Sequence, residues 1–319
     1  MSAAVSRHTE PPALLRIASR ESRLAMTQSE WTAAKLRKLY PAAVIDIIGM
    51  TTKGDQILDR PLAQIGGKGL FIKELEVAME EGRADIAVHS MKDVPMSLPA
   101  DFAVVIVGER EDVHDALVSN RFAGIDELPQ GATVGTSSLR RESQLRTIRP
   151  DLKIEALRGN VNTRLAKLDA GNYDAIILAA AGLNRLGLSA RIRSVLDKAQ
   201  FLPAIAQGAL GIEYQANRAD VAEWLAPFAQ ANTTAMVNAE RALGRALTAS
   251  CDVPLGANAT LREGMLYLDG FVAMPDGSRM IRDSISGSPA DAEHLGLTLA
   301  QRLLAAGADR ILASLSRNA

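Results

Sequence analysis

Ala132-Thr-Val-Gly135, Thr136-Ser-Ser138, Lys153-Ile-Glu-Ala-Leu157, Gly159-Asn160 and Tyr173-Asp-Ala-Ile-Ile-Leu-Ala-Ala180 follow one another in a single stretch, residues 132–180. The first segment reads as a short apolar strand. Thr136-Ser-Ser138 caps a helix that runs to about Ile148. Residues 153–157 form the next strand, Gly159-Asn160 leads into a helix to Ala170, and the last segment is a strand with a continuous apolar run. Strands alternating with helices of this length predict parallel, doubly wound sheets, which bind ligands beyond the carboxyl ends of their strands.

The alternation continues toward the N-terminus. Residues 14–19 read as a strand, Ser22 as the N-cap of a helix running toward Tyr40, and Pro41 as its stop. Residues 43–49 are the next expected strand. Thr51-Thr-Lys-Gly-Asp55 and Gly66-Gly-Lys-Gly69 are turn-rich, the second opening a helix over about 70–81. Residues 84–89 read as a buried strand ending in the loop Ser90-Met-Lys-Asp-Val-Pro95. The C-terminal part changes pattern. It has a helix over 234–247 with Met236, Leu243 and Leu247 on one face, then extended segments near 257–262, 265–274 and 279–286. Pro275-Asp-Gly277 is a turn, and a last helix carries Leu295, Leu299 and Leu303 at i, i+4, i+8. The expected fold class is α/β, with two doubly wound domains and a smaller C-terminal α+β domain.

Composition narrows the function. Of 319 residues, 47% are hydrophobic and 23% charged, enough for the cores of two or three domains. Net charge is −1 and aromatics are 4%, so neither a nucleic-acid partner nor an anionic membrane is expected. No apolar run reaches the length of a membrane span. Residues 1–12 are polar and lack the apolar core of a secretory signal, so a short tail and a cytoplasmic location are expected. None of His8, His89, His114 and His294 has a second His or a Cys at ligand spacing, so no metal site is expected.

Three features carry chemistry. Between Ser137 and Arg164 stand seven basic residues (Arg140, Arg141, Arg146, Arg149, Lys153, Arg158, Arg164) against three acids (Glu142, Asp151, Glu155). Arg140 and Arg141 fall in the first turn of a helix, where free N–H groups already favour an anion. Arg158 ends a strand, Arg164 lies in the next helix, and Arg20 ends the first strand. Their planar forks suit carboxylate or phosphate, and they are expected to converge on one cleft. Arg146 and Arg149 read as a solvated face. Asp93, beside Pro95, is the candidate to stabilise a developing cation or move a proton, the plainer reading being a turn cap. Cys251 is the single cysteine and precedes Pro254 and Gly256. It reads as an accessible nucleophile or covalent tether, the plainer reading being a small buried hydrophobe. Gly66-Gly-Lys-Gly69 lacks phosphate-loop spacing and reads as a mobile lid.

Seven ordered segments carry a resemblance. They are Arg16-Ile-Ala-Ser-Arg-Glu-Ser22, Gly66-Gly-Lys-Gly-Leu-Phe-Ile-Lys-Glu-Leu-Glu76, His89-Ser-Met-Lys-Asp-Val-Pro95, Gly135-Thr-Ser-Ser-Leu-Arg-Arg141, Leu157-Arg-Gly-Asn-Val-Asn-Thr-Arg164, Ala181-Gly-Leu-Asn-Arg-Leu-Gly187 and Gln207-Gly-Ala-Leu-Gly-Ile-Glu213. With the cysteine loop, they make the chain from about Arg16 onward resemble the porphobilinogen deaminase, or hydroxymethylbilane synthase, family of tetrapyrrole and heme biosynthesis. The resemblance implies three domains, two of them related to periplasmic binding proteins: 13–110 with 203–228, 111–202, and 229–319. The chain would cross between the first two near 109–114 and 201–207.

The resemblance also implies a transferase. Four porphobilinogen molecules are joined head to tail with loss of ammonia, on a dipyrromethane primer held as a thioether by Cys251, and water releases the linear hydroxymethylbilane. It implies Asp93 as the catalytic residue. Cys251, Lys92, Thr136, Ser138, Arg140 and Arg141 would bind the cofactor. Arg20, Ser22, Gln28, Arg158, Arg164, Arg185 and Gln207 would bind substrate, Lys68 and Phe71 would belong to the lid, and the protein would be a monomer. The acetate and propionate of each pyrrole give the arginines their partners.

Three positions depart from the family pattern. Ser250 stands where Gly is usual, Gln64-Ile65 where many members have Lys, and Arg23 where Pro is common. None touches Asp93 or the arginines, so an active enzyme is expected. A non-catalytic two-lobed carboxylate-binding protein is the competing reading, and it leaves Cys251 and Asp93 without a task.

Overall fold

The computed structural model describes residues 13–56, 67–247 and 253–316. Cys251, Ser250, Gln64, Ile65, residues 1–12 and the side chain of Lys68 lie outside what it describes. Strand β1 (Leu14–Arg20) leads through Ser22, whose Oγ accepts the Ala25 N–H, into α1 (Arg23–Leu39). Then come β2 (Val44–Met50), the short α2 (Lys53–Gln56), a 3-10 turn (Gly67–Phe71) and α3 (Lys73–Glu80). The single helix expected over 70–81 is therefore a 3-10 turn followed by an α-helix. β3 (Ile86–Ser90) and β4 (Phe102–Val107) follow.

The chain then crosses to β5 (Asp115–Val118), β6 (Thr133–Gly135), α4 (Leu139–Ile148), β7 (Lys153–Glu155), α5 (Val161–Asp169), β8 (Ala175–Ala179), α6 (Ala180–Arg185) and β9 (Ser194–Val195). It returns as β10 (Leu210–Gln215) and α7 (Ala219–Leu225). The last elements are α8 (Ala231–Ala246), β11 (Leu255–Arg262), β12 (Met265–Ala273), β13 (Met280–Gly287), α9 (Ala292–Leu303) and α10 (Asp309–Ser316). No helix among the described residues is long and apolar enough to cross a membrane.

Three sheets result, ordered β2-β1-β3-β10-β4, β7-β6-β8-β5-β9 and β11-β12-β13. The two large sheets are mixed, where the alternation predicts parallel ones. β10 runs antiparallel to β3 and β4, and β5 antiparallel to β8 and β9. Connectivity explains this: β5 and β10 are each the first strand made after the chain changes sheets, so each arrives from the opposite end.

Both faces of the large sheets are buried, which is why β8 is apolar throughout. On the first sheet, Ile17, Leu36, Ile86 and Val88 pack on the α1 side, and Ala18, Leu75, Met79 and Ala87 on the α3 side. The third sheet packs on α8 and α9, which approach so closely that a Cβ at Gly296 would lie 2.3 Å from the Ala239 carbonyl oxygen. The same core takes in Met91 and Val94. The loop after β3 is thereby anchored in the C-terminal unit, each fully buried apolar side chain contributing about 1.5–3 kcal/mol.

Candidate active site

Asp93 ends a 3-10 turn, Met91–Asp93, directly after β3. Its position is fixed from α8: the buried Arg241 guanidinium donates to the carbonyls of Val94 (3.4 Å), Pro95 (2.6 Å) and Met96 (3.1 Å). Asp93 lines a small pocket with Arg20, Ser22, Gln28, Phe71 and Ser90. Gln28 Nε2 donates to Ser90 Oγ at 2.8 Å. Arg20 is held twice. Its Nε donates to Asp55 Oδ2 at 3.0 Å, and its guanidinium sits 4.3 Å above the Phe71 ring. Burial would raise the Asp55 carboxyl, but the Arg20 guanidinium and the Thr52 hydroxyl outweigh it and hold it below the ordinary value.

A second group gathers around Asp115, which is fully buried at the start of β5. Arg141 donates to Asp115 Oδ1 from Nε (3.0 Å) and Nη2 (2.7 Å), and from Nη1 to the Ile177 carbonyl (2.9 Å). Arg140 Nη1 lies 2.7 Å from Oδ2 and donates to the Leu202 carbonyl at 2.6 Å. Burial opposes ionisation of Asp115, yet the two guanidiniums hold its carboxyl far below the usual range. The arginines read in the sequence as open seats for carboxylates are thus already ion-paired inside the protein. Gln207 Nε2 joins them, donating to the Val113 carbonyl (2.7 Å) and to Asp115 Oδ1 (3.1 Å).

Lys92 connects the two groups. Burial lowers its ammonium to about 8; Asp93 and Asp115 resist, while Arg141 and Arg140 add to the lowering. Arg164 donates from Nε to the Gly159 carbonyl at 2.7 Å. Burial first, then the charges of Arg141 and Arg158, bring it down to about 10 against the pull of Asp93. Lys92 thus stands within the field of Asp93 and Arg141, and Arg164 within that of Arg141, Asp93 and Arg158.

The remaining expected residues do other work. Ser22 caps α1, and the Ser138 N–H donates to Thr136 Oγ1 at 3.2 Å without a side-chain cap of its own. Arg185 donates to the Gly208 carbonyl at 2.6 Å and lines a second cavity of about 880 Å³, which shares only Gln28 with the Asp93 pocket. Arg146 and Arg149 pair with Glu142 and Asp151 near the surface. Asp115, Asp55 and Arg241 have no functional role in the sequence reading. Asp115 leaves one usable signal, an acid at the head of the apolar run Asp115-Ala-Leu-Val118.

These features define a two-lobed α/β protein whose lobes close cations around one fixed carboxylate, with a third unit buttressing that carboxylate. Residues 15–223 match the family model described as "Porphobilinogen deaminase, dipyromethane cofactor binding domain", and residues 234–305 the one described as "Porphobilinogen deaminase, C-terminal domain". The porphobilinogen deaminase of Nitrosomonas europaea is 58% identical over 305 residues, covering 96% of this chain and 99% of its own. That of Thiobacillus denitrificans is 57% identical over 301 residues, covering 94% and 98%. Among solved structures, the periplasmic aliphatic sulphonate binding protein SsuA from Escherichia coli aligns with a TM-score of 0.40 and 19% identity, over 76% of this chain and 73% of that one. The chain belongs to the porphobilinogen deaminase family.

Proposed function

We propose that this chain is the transferase that deaminates porphobilinogen and joins four molecules head to tail, releasing hydroxymethylbilane. The observation that carries the reading is Asp93, a carboxylate held in a pocket wall within the field of Lys92 and Arg164. Loss of ammonia from porphobilinogen leaves a methylene-pyrrole with positive charge on its ring N–H. A fixed carboxylate near that N–H stabilises the charge as it forms, without reorganising at the moment of reaction. Arg20, Arg158 and Arg164 hold substrate carboxylates, with Ser22, Gln28, Arg185 and Gln207 supporting the walls around them. Lys68 and Phe71 belong to the lid.

The residues present fit a polycarboxylate primer. Five cations, Lys92, Arg140, Arg141, Arg158 and Arg164, stand against the two carboxylates Asp93 and Asp115. When bound, the dipyrromethane supplies the free pyrrole carbon from which the chain grows. Cys251 would carry it as a thioether, with Lys92, Thr136, Ser138, Arg140 and Arg141 around it. The strand that follows the cysteine passes this group, since a Cβ at Gly256 would lie 3.2 Å from Arg140 Cδ. Arg140 and Arg141 divide the work. Arg141 engages all three of its nitrogens with Asp115 and the Ile177 carbonyl, whereas Arg140 engages Nη1 with Asp115 and the Leu202 carbonyl.

We read the three sheets as three domains, 13–110 with 203–228, 111–202, and 229–319. The near-neutral net charge of −1 supports a protein without a nucleic-acid partner, and the family supports a cytoplasmic monomer. Intact mass of the purified protein tests the reading. An excess of two pyrrole units is expected, and Cys251→Ser should lack it because a hydroxyl is a poorer nucleophile. A wild-type chain of unmodified mass that still turns over would overturn the primer assignment.

A further inference from the structure

Arg20 has a partner that the reaction above does not use. After β2, the Asp55 N–H donates to the Thr52 carbonyl at 3.0 Å. The hydroxyl of Thr52, a fully buried residue, donates to Asp55 Oδ2 at 2.7 Å. The carboxylate is thus seated by its own turn. Onto it comes Arg20, donating from Nε to Oδ2 at 3.0 Å and from Nη2 to Oδ1. The same guanidinium stands 4.3 Å above the Phe71 ring. Phe71 returns to the Asp55 turn, since a Cβ at Gly54 would lie 2.4 Å from its ring. Thr52, Gly54, Asp55, Arg20 and Phe71 therefore close a ring of contacts. The Lys53 N–H ties that ring to α3, donating to Glu74 Oε1 at 3.1 Å.

Stability alone gives this arrangement little reason. The Arg20 and Asp55 side chains are 22% and 24% exposed, and ion pairs open to water contribute modestly. Orientation gives it more. A free arginine loses much rotamer freedom when it grips a ligand, and a partner that fixes it beforehand removes that cost from binding. Arg20 and Phe71 line the Asp93 pocket, whereas Asp55 and Thr52 are not among the described residues that do. A guanidinium is a planar fork of five donors, able to serve two carboxylates from two sides. Asp55 takes the side formed by Nε and Nη2. What Arg20 offers a second carboxylate is the end formed by its two Nη groups.

We propose that Asp55 is a positioning residue for substrate: it locks Arg20 by the Nε–Nη2 side and so presents the Nη1–Nη2 end to the pocket as the seat of one porphobilinogen carboxylate. The inference rests on the reading of Arg20 as a substrate-binding residue and adds what makes that residue selective. With one side filled, the fork receives a single carboxylate from a single direction. Substrate does not displace Asp55, because the two carboxylates use different sides of the same plane. Asp55 touches neither substrate nor the reacting atoms, and all of its effect passes through Arg20.

The test is a double-mutant cycle on the holoenzyme with Asp55→Asn, Arg20→Leu and the two combined, read as KM and kcat for porphobilinogen with melting curves on the same samples. Asp55→Asn should raise KM about tenfold with kcat little changed, the mark of a charge-assisted contact made less well. In the Arg20→Leu background the same substitution should leave KM where Arg20→Leu alone puts it. Thr52→Val keeps the shape and the Asp55 charge but removes the hydroxyl that seats it, so KM should rise by less than in Asp55→Asn. A wild-type KM in Asp55→Asn overturns the inference. A lower KM also overturns it, by making Asp55 a competitor that substrate displaces. An equal rise in both backgrounds overturns it too, since Asp55 would then act without Arg20. If Asp55→Asn does not fold, Thr52→Val decides, and a wild-type KM there is the negative result. Arg20→Leu with a wild-type KM would instead remove Arg20 from substrate binding and the role of Asp55 with it. That outcome differs from failure of Asp55 alone, in which Arg20→Leu raises KM and Asp55→Asn does not.

Discussion

Arg110 and Glu240 form a buried bidentate pair, with Nη1 to Oε1 at 2.7 Å and Nη2 to Oε2 at 2.9 Å. Arg110 lies on the segment that leaves the first sheet, and Glu240 on α8 of the C-terminal unit. Glu240 also accepts the N–H groups of Ala206 and Ala259, each at 2.6 Å, and Arg110 Nε donates to the Gln207 carbonyl at 2.9 Å. One carboxylate thus pins both crossing segments and strand β11. The crossings touch backbone to backbone: the Glu111 N–H donates to the Gly208 carbonyl at 3.1 Å, and a Cβ at Gly208 would lie 2.3 Å from the Glu111 carbonyl oxygen. Ala206 is held there at a φ of 58°, a conformation that persists only where its surroundings enforce it. The relation between the two lobes is therefore set by the helix that leads to Cys251.

Glu240→Gln should cost about 3–5 kcal/mol, because it leaves the Arg110 guanidinium buried without a counterion and puts an amide N–H where an acceptor is needed. The midpoint of urea unfolding reads this directly. A midpoint within error of wild type would mean that the crossings are held by something else.

We expect the Lys92 charge beside the primer to make substrate capture depend on pH. Its ammonium, lowered by burial to about 8, discharges in a range where the arginines stay charged. KM for porphobilinogen should rise as pH passes through about 8 in wild type, and Lys92→Arg should flatten that rise. Stability moves the other way. Burying the charged amine costs stability below its folded value, and the loss is regained as pH rises from about 8 toward the unfolded value of 10.5. Parallel KM profiles in the two proteins would show that the Lys92 charge does not meet the substrate.

Local chemistry made part of this structure legible in the sequence. The Ser22 cap, the helix entry at Gly159-Asn160, where Asn160 Oδ1 accepts the Thr163 N–H, the apolar β3 and β8, and the near-surface place of Arg146 and Arg149 all follow from residues within a few positions of one another. The partners that govern the site do not. Asp115 is 26 residues from Arg141, Arg110 is 130 from Glu240, and Arg241 is 146 from Pro95. Periodicity marks which face of an element is buried and carries no information about which distant charge will be buried with it. Arg140 and Arg141 at a helix start therefore read as an open anion site, when the chain crossing brings Asp115 beneath them. The mixed strand directions escaped for the same reason, since alternation records element order and not the end from which a strand is entered.

Asp93→Asn should keep the fold and lose turnover by a factor of about 10²–10³, the usual effect of removing one preorganised electrostatic partner of a developing charge. Met91, Val94 and Arg241 fix the turn through contacts that spare the carboxylate, so melting should be little changed. Single-turnover rates separate chemistry from product release, and a near wild-type rate would remove Asp93 from the mechanism.

The arginines should fail in ways that can be told apart. Arg141→Leu removes three internal hydrogen bonds and half the counter-charge of Asp115, so it should lower stability by about 3–5 kcal/mol as well as hinder primer attachment. Arg140→Leu also weakens the Asp115 cluster, and it removes one of the cations expected around the primer, so the primer should be missing or loosely held. Arg158→Leu and Arg164→Leu touch neither the Asp115 pair nor the crossings. They should fold, carry the primer and stall during elongation, each lost carboxylate contact costing about 1.5–3 kcal/mol. Arg20→Leu should stall as well, because its guanidinium reaches the pocket through Asp55 and Phe71 and stands apart from Asp115. Native mass spectrometry with limiting porphobilinogen shows which pyrrole adducts accumulate, and melting curves report the fold in the same samples. Arg158 or Arg164 variants that lack the primer, or five variants halted at one adduct, would dissolve this division even with the overall reaction intact.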